Sequence, residues 1–255
     1  MNKTVPILIV SLLVSFILVW RLANRSPSET RQPQNVLIVG TNAEYAPFSF
    51  VQGKTITGFD IDLIEEVAKR LNKTLQLQDM PFDGLVSSLQ LGTIQVIAAG
   101  ITPTAERAER IIFTKPYLTG DQLLIISRAD APIKNIDALK KGKKVAVNEG
   151  FTADYYMSKI QGPELIKFAT AIESFMTLES GRVDALVAAQ NTVKTFIEHY
   201  GADKFFSAPI PGTTDEYALA ISKKYPELLE PIQNALNEIT ADGTLETLKK
   251  KWGLE

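Results

Sequence analysis

Residues 94–107 read IQVIAAGITPTAER, a short apolar run followed by a tight turn and the start of a charged helix. The run 94–99 predicts a buried strand, and the segment 104–110 predicts a helical turn. A tight turn from a strand into a helix exposes backbone N–H groups and hydroxyls, which favour an anion. Arg107 lies one turn into this helix, where its guanidinium suits a carboxylate in a bidentate geometry that lysine does not reproduce. A solvated helix face is the alternative, because charged residues surround Arg107.

On both sides of this stretch, from Val36 onward, β-rich runs alternate with amphipathic stretches. That alternation is typical of sheets covered by helices and predicts an α/β fold. The predicted strands are 36–41, 75–78, 94–99, 122–127, 144–148, 165–168, 183–188 and 217–221. The predicted helices are 59–71, with Asp60 as a candidate N-cap, and 82–91, 104–110, 134–141, 152–160, 171–180, 192–200, 226–241 and 244–252.

The middle of the chain has the length of a separate lobe. The predicted strands 122–127 and 217–221 flank this block, and two crossings between lobes make a hinge. We therefore predict two α/β lobes. Lobe 1 consists of residues 36–121 and 222–255, and lobe 2 consists of residues 122–221 with hinge strands at both ends.

Composition excludes several classes of function. The 255 residues carry a formal net charge of −2, from 27 basic and 29 acidic residues, and the basic residues are scattered. This is not the charge pattern of a nucleic-acid-binding protein. Cysteine is absent and histidine occurs once, which removes disulfides, thiol nucleophiles, cysteine-based zinc sites and histidine-centred triads. The sequence predicts no metal site, no cofactor and no catalytic residue.

The N-terminus has the pattern of an export signal. A short basic start precedes the apolar run 5–20, and arginines follow it. That run would be roughly 24 Å long as a helix, a little short for a bilayer, so residues 1–23 are predicted to be a signal peptide or else an uncleaved anchor. Residues 24–35 read as a tether. The predicted location is the periplasm or another extracytoplasmic space.

Aromatic and polar residues follow several predicted strands, at the edge where open α/β sheets usually bind ligands. Tyr45 follows the first strand and Phe82 begins a helix after the second. Two rings that converge on a cleft sandwich an apolar or cationic side chain, although each ring is equally well explained as part of a core. Gly150 and Thr152 open another helix, where they donate to a carboxylate or merely cap that helix. His199 lacks a nearby acid partner, so these features suggest capture rather than catalysis.

A set of motifs resembles the polar amino-acid family of substrate-binding proteins that serve ABC importers. The motifs are specific in combination, and the resemblance covers essentially residues 36–255. They are the segments 41–50, 58–63, 82–86, 100–107, 113–117 and 181–185. Within the family, the chain looks most similar to arginine-binding members. The resemblance implies a periplasmic-binding-protein type II fold, with two α/β lobes that are joined by two strands and close over one amino acid.

The resemblance also implies roles for single residues. Arg107 would hold the α-carboxylate of the ligand, with help from Thr102 in lobe 1 and Thr152 in lobe 2. The carbonyl of Gly100 would accept from the α-ammonium group. Tyr45 and Phe82 would pack on the two faces of the ligand side chain. Asn42 occupies the position of an acidic or polar residue that reads that side chain.

The sequence departs from the family pattern at two places in the site. Relatives usually carry an aspartate that pairs with the α-ammonium, and Ala189 and Gln190 stand there instead. Either Gln190 replaces that aspartate as a neutral acceptor, or another acid does, such as Glu216 near the second hinge crossing. Phe151 stands where small or hydroxylated residues are common and alters the carboxylate side of lobe 2.

The resemblance predicts a non-catalytic, monomeric binding protein that delivers an amino acid to an ABC permease in the inner membrane. L-arginine is the favoured ligand, with glutamine or another polar amino acid as a competitor. One alternative is a dehydratase-like enzyme on the same scaffold, for which only Glu44, Glu149 or Glu216 would supply a cleft acid. The other alternative is an exported surface interaction module.

Overall fold

The computed structural model describes residues 35–254, and the compact unit that they form begins at Leu37. The predicted leader, 1–23, lies outside the described residues, and so does the predicted tether apart from Asn35. The side chain of His199 is also outside the description. None of the helices within residues 35–254 is both long enough and apolar enough to cross a bilayer.

Short strands and helices alternate along the described chain. The strands are β1 Val36–Thr41, β2 Glu44–Tyr45, β3 Ser49–Gln52, β4 Thr55–Thr57, β5 Thr74–Asp79, β6 Val96–Ile97, β7 Ile112–Phe113, β8 Leu118–Asp121, β9 Leu123–Arg128, β10 Lys144–Asn148, β11 Glu164–Phe168, β12 Ala185–Ala189, β13 Phe205–Pro209, β14 Asp215–Tyr217 and β15 Ala220–Ile221. The helices are α1 Phe59–Arg70, α2 Phe82–Leu91, α3 Ala105–Arg110, α4 Ile136–Leu139, α5 Thr152–Met157, α6 Ala171–Glu179, α7 Gln190–Tyr200, α8 Leu229–Ala241 and α9 Thr244–Trp252.

The first five-stranded sheet has the order β5-β1-β6-β15-β7. Strands β1 and β6 run parallel, and β15 is antiparallel to both of its neighbours. Helices α1, α8 and α9 contribute apolar side chains such as Leu63, Ile232 and Leu245 to the core of this sheet. The carboxyl ends of β1 and β6 lead into the segments that contain Tyr45 and Gly100, which places both residues at one edge.

The second five-stranded sheet has the order β11-β10-β12-β9-β13. Strands β10, β11 and β12 are parallel, and β9 is antiparallel to β12 and β13. One apolar cluster includes Leu139 and Met157 from α4 and α5, and another includes Phe175 and Val193 from α6 and α7. Each sheet therefore has a core of its own, which confirms the predicted two-lobed α/β fold.

Strands β8 and β14 connect the two sheets and pair with each other in an antiparallel ribbon. This crossing pair differs from the strands predicted at 122–127 and 217–221. Strand β9 lies inside the second sheet, and the predicted strand 217–221 is divided, so that Tyr217 ends β14 while Ala220–Ile221 joins the first sheet. The predicted lobe bounds stay a prediction.

Helix α1 begins at Phe59 with Gly58 as its N-cap, so the prediction that Asp60 caps this helix was wrong. Asp60 is fully buried one residue inside the helix. One carboxylate oxygen accepts from the N–H of Gly100 at 2.5 Å, and the other accepts from the hydroxyl of Tyr117 at 2.7 Å. These long-range bonds hold the turn after β6 in place, so Asp60 supports the edge of the sheet rather than the helix end.

Candidate ligand-binding site

Arg107 lies in the short helix α3, whose N-cap is Thr104. Its guanidinium donates to the carbonyl of Thr102 at 2.8 Å and to the carbonyl of Gly150 at 2.7 Å. Thr102 follows β6 of the first sheet, and Gly150 follows β10 of the second. The side chain of Arg107 therefore links the two lobes across the edge where their parallel strands end.

The guanidinium of Arg107 is buried without a carboxylate in direct contact among the described residues. The residue is 5% exposed, and no described carboxylate within residues 35–254 forms an ion pair with it. Burial lowers the pKa of the guanidinium, and the neighbouring Tyr155 and Asp215 oppose that effect. The rings of Phe82 and Tyr155 lie 5.5 and 5.7 Å from its Cζ. A buried cation with only carbonyl partners favours an anionic ligand.

Three rings meet next to Arg107. The ring of Phe151 stacks on Phe82 with a centroid distance of 4.1 Å and an interplanar angle of 27°. Its other side faces Tyr45, at 4.9 Å and 59°. Tyr45 and Phe82 are almost completely buried, whereas Phe151 is half-buried. The two rings predicted to sandwich a ligand do converge on one place, and Phe151 lies between them.

Gly100 is at the base of this site with a φ of 58°, a conformation that favours glycine. A Cβ at this position would lie 2.9 Å from the ring of Tyr45. Because of this close approach, Gly100 allows the Tyr45 ring to pack directly on the backbone after β6. The role predicted for its carbonyl stays a prediction.

An acid that the sequence analysis missed lies on the other side of the site. Asp215 on β14 is 5% exposed, and its Oδ2 accepts from the hydroxyl of Thr152 at 2.5 Å. Burial raises the pKa of Asp215 to about 6. The charge of Asp121 acts in the same direction, while the hydroxyl of Thr152 and the charge of Arg107 oppose it.

The two sides of the site differ in free space, because a cavity of about 100 Å³ lies beside Phe82 and Arg107, whereas the side of Tyr45 is nearly filled. A cavity of about 10 Å³ remains among Tyr45, Phe151, Thr152 and Ala189, with Asn148 in its wall. That volume holds about one water molecule, so this is a closed arrangement. Asn148 is 6% exposed, and its Nδ2 has no hydrogen-bond partner among the residues that the structure describes. The wall of this cavity therefore contains a buried hydrogen-bond donor that a ligand could satisfy.

Comparison with known proteins agrees with the fold and the motifs. The sequence profile of bacterial extracellular solute-binding proteins, family 3, matches residues 37–255. The chain belongs to this family. A probable histidine-binding protein of Campylobacter jejuni is 32% identical over 226 residues, which are 86% of this chain and 85% of that protein. The arginine-binding extracellular protein ArtP of Bacillus subtilis is 31% identical over 258 residues, 96% of each chain.

A solved structure has the same fold as this member of family 3. It is an ancestral arginine-binding protein bound to arginine, with a TM-score of 0.81 and 34% sequence identity over 86% of this chain and 98% of that one. The resemblance drawn from the motifs is therefore confirmed at the level of family and fold.

Two of the predicted site residues do not join the cluster in this family 3 chain. Glu216 is exposed because successive residues of a strand point to opposite sides, and on β14 the buried positions are Asp215 and Tyr217. Gln190 is exposed as well, and its backbone N–H donates to the carbonyl of Gln122. Neither side chain joins the cluster, and the suggestion that one of them replaces the missing aspartate stays a prediction.

The remaining predicted residues lie at or beside the cluster. The hydroxyl of Thr102 also bonds to Asp215 and lowers its pKa. Asn42 is 6% exposed, and its Nδ2 donates to the carbonyl of Met80 at 3.3 Å. Ala189, at the position of the family aspartate, lines the same small cavity as Thr152. Asp215 and Glu216 are adjacent in β14, and successive side chains of a strand point to opposite faces. The sequence could therefore have shown that only one of these two acids faces inward.

Proposed function

We propose that this chain is the extracytoplasmic binding protein of an ABC importer and captures a polar or basic amino acid, L-arginine first. Lobe 1, residues 36–121 and 222–255, and lobe 2, residues 122–221, would close over the ligand. The observation that carries the proposal is the buried guanidinium of Arg107, whose hydrogen-bond partners within residues 35–254 are the carbonyls of Thr102 and Gly150. A ligand carboxylate that replaces a carbonyl would form a charge-assisted bond, which is roughly twice as strong.

The α-ammonium group of the ligand requires an acid, and Asp215 supplies it in this proposal. Asp215 is buried beside Thr152 and lies close enough to Arg107 for their charges to interact. A ligand with a carboxylate at Arg107 and an ammonium group at Asp215 would satisfy both buried charges at once. This arrangement replaces the family aspartate, whose position Ala189 occupies.

The ligand side chain would lie between the rings of Tyr45 and Phe82. A guanidinium between two rings gains about 0.5–2 kcal/mol from the cation–π interaction. The names of the two relatives, a probable histidine-binding protein and an arginine-binding protein, support a cationic or planar side chain. Glutamine stays a competitor as the ligand. Asn42 has a neutral amide, so it presents a dipole rather than a negative charge to the tip of the ligand side chain.

Calorimetric titration of the purified full chain in detergent tests this function. Ligand that copurifies is first removed by unfolding and refolding. L-arginine, L-lysine, L-ornithine, L-histidine and L-glutamine are then titrated, with D-arginine as the control for stereochemistry. We expect one-to-one binding that is strongest for L-arginine. Absence of binding across the panel would contradict the proposal.

A pair of variants on one helix sharpens the test. Arg107→Ala should abolish binding, because it removes the predicted carboxylate partner. Arg110→Ala is the matched control, since Arg110 is an exposed residue of the same helix whose side chain donates to Gln90. Near-normal affinity in Arg107→Ala would refute the carboxylate assignment.

The other assignments of partners follow the same proposal. An ABC permease would accept the amino acid, the protein would act as a monomer in the periplasm or another extracytoplasmic space, and residues 1–23 would serve as signal or anchor.

Two alternative functions have their own tests. If a folded chain binds no amino acid, the exported surface interaction module is the function that remains. The three acids named for the dehydratase-like enzyme, Glu44, Glu149 and Glu216, are all exposed, so Asp215 is the buried acid that such an enzyme would use. Incubation with prephenate, followed by absorbance of aromatic product, tests it directly.

A further inference from the structure

The position of Phe151 has a consequence that rests on the proposed function. The Phe151 ring comes from the segment after β10 in the second lobe, whereas Phe82 and Tyr45 belong to the first lobe. Its centroid lies 4.1 Å from the first ring and 4.9 Å from the second. The ring of Phe151 stacks on the face of Phe82 at an interplanar angle of 27° and packs against Tyr45 in a tilted arrangement at 59°. The ring thus occupies the place that the proposal assigns to the ligand side chain.

The residue before it makes the matching contact at the other end of the site. The carbonyl of Gly150 accepts from Arg107 at 2.7 Å, where the ligand carboxylate would bind. Gly150 has a φ of 77°, a left-handed conformation that favours glycine. In this turn the carbonyl of Gly150 contacts Arg107, and the ring of Phe151 contacts Phe82. The turn Gly150–Phe151 therefore satisfies the guanidinium and fills the space between the rings at the same time.

We propose that Phe151 is a specificity-determining residue that acts as a built-in substitute for the ligand side chain. A long ligand side chain enters only when this ring leaves, whereas an amino acid with a short side chain does not need the space. A planar cationic side chain, such as a guanidinium or an imidazolium, regains the ring contacts that Phe151 gives up. An aliphatic side chain regains fewer of them. The substrate class is therefore amino acids with planar cationic side chains.

The size of the remaining space supports displacement rather than coexistence. About 10 Å³ is open beside Phe151, Tyr45 and Thr152, far less than an arginine side chain occupies. The larger cavity of about 100 Å³ beside Phe82 and Arg107 is not lined by Tyr45 or Phe151, so it adds no space between the rings. Phe151 is only half-buried, so its ring has a path to solvent. Only molecules in which Phe151 has left the space between Tyr45 and Phe82 bind a long side chain. The observed affinity for such a ligand is therefore reduced in proportion to the fraction of molecules in that state.

The test compares Phe151→Ala with Phe151→Tyr in the full chain. Phe151→Tyr keeps the flat ring and is the matched control. Titration with L-arginine should show about a 10-fold higher affinity in Phe151→Ala, because two ring contacts no longer compete. The affinity for L-alanine should change by less than about twofold, because its methyl group does not reach the ring pair. Phe151→Tyr should resemble the unmodified chain with both ligands.

A second measurement is independent of ligand binding. Without ligand, Phe151→Ala should have a larger radius of gyration by small-angle X-ray scattering than the unmodified chain or Phe151→Tyr, because the ring contacts between the lobes are lost and the Arg107–Gly150 bond remains as their link. Unchanged or lower L-arginine affinity together with an unchanged radius would overturn the inference and leave the proposed function standing. Failure of all three proteins to bind any amino acid would overturn both.

Discussion

The hydroxyl of Thr152 donates to Oδ2 of Asp215 at 2.5 Å, which joins the start of helix α5 in the second lobe to a strand of the crossing pair. Both groups also lie at the place proposed for the two charged ends of the ligand. On the proposed function, a ligand group that enters exchanges partners with this bond. Asp215 would then couple its own protonation to ligand binding and to the contact between the lobes.

Stability should depend on pH through Asp215. Burial raises its pKa from 3.8 to about 6, so between these values the folded chain binds more protons than the unfolded chain. Stability therefore falls as pH rises from about 4 to about 6. Asp215→Asn should remove this contribution and increase the free energy of unfolding at pH 7.5 by on the order of 2–3 kcal/mol. Urea denaturation at a series of pH values measures it.

Some pH dependence should persist in Asp215→Asn, because burial also raises the pKa of Asp60 to about 6. The matched control is Glu216→Gln, the exposed neighbour on the same strand. That control should follow the unmodified chain within about 0.5 kcal/mol at each pH. An Asp215→Asn variant with the same pH slope as the unmodified chain would contradict the assignment.

The same substitution should weaken amino-acid binding. Without its charge, residue 215 no longer forms a charge-assisted bond with the α-ammonium group, and the affinity for L-arginine should fall about 10- to 100-fold. Adding Ala189→Asp to this variant should restore much of the affinity, because Ala189 lines the same cavity and holds the position of the family aspartate. Calorimetry on the single and double variants measures both effects. Full affinity in Asp215→Asn alone would show that the ammonium group binds elsewhere.

Gly100→Ala should reduce both stability and binding. The added Cβ would lie 2.9 Å from the ring of Tyr45, and the backbone has a positive φ. The matched control is Gly120→Ala, which also has a positive φ but no atom within 4 Å of its added Cβ. Both variants should lose about 1 kcal/mol from backbone strain, and Gly100→Ala about 1–3 kcal/mol more from overpacking. Only Gly100→Ala should bind L-arginine more weakly, which titration will decide.

The core of the second lobe should depend strongly on Phe175. This residue of α6 is 3% exposed and stacks on Phe196 with a centroid distance of 4.0 Å. Phe175→Ala should lower the free energy of unfolding by about 3–5 kcal/mol. Its neighbour Met176 is 52% exposed, so Met176→Ala should change stability by less than about 0.5 kcal/mol. Equal effects in the two variants, measured by urea denaturation, would place the core face of this helix elsewhere.

The long regular elements follow from local sequence. Strand β10 at Lys144–Asn148 and helix α9 at Thr244–Trp252 have the predicted bounds, because a continuous apolar run and a capped amphipathic stretch each determine their own structure. The turn from β6 into α3 likewise has the predicted form, with Arg107 inside the site rather than on a solvated face.

What the sequence left unpredicted depends on contacts between distant segments. The hairpin strands β2 to β4 and the edge strand β13 were missed, because they are short and are defined by pairing with neighbours rather than by a pattern of their own. The choice between Asp215 and Glu216 is set by the register of β14 against β8, which includes a bulge. The position of Phe151 between two rings arises only when the lobes meet.

Strand β14 carries two buried residues with separate tasks. Asp215 contacts Thr152 at the site, and the hydroxyl of Tyr217 donates to Asp121 on the paired strand β8 at 2.7 Å. A strand that connects the two sheets thus also carries an acid of the candidate site. On the proposed function, a substitution on this strand that changes the choice of ligand should also change the rate at which the ligand is released. One substitution would then alter selectivity and delivery together.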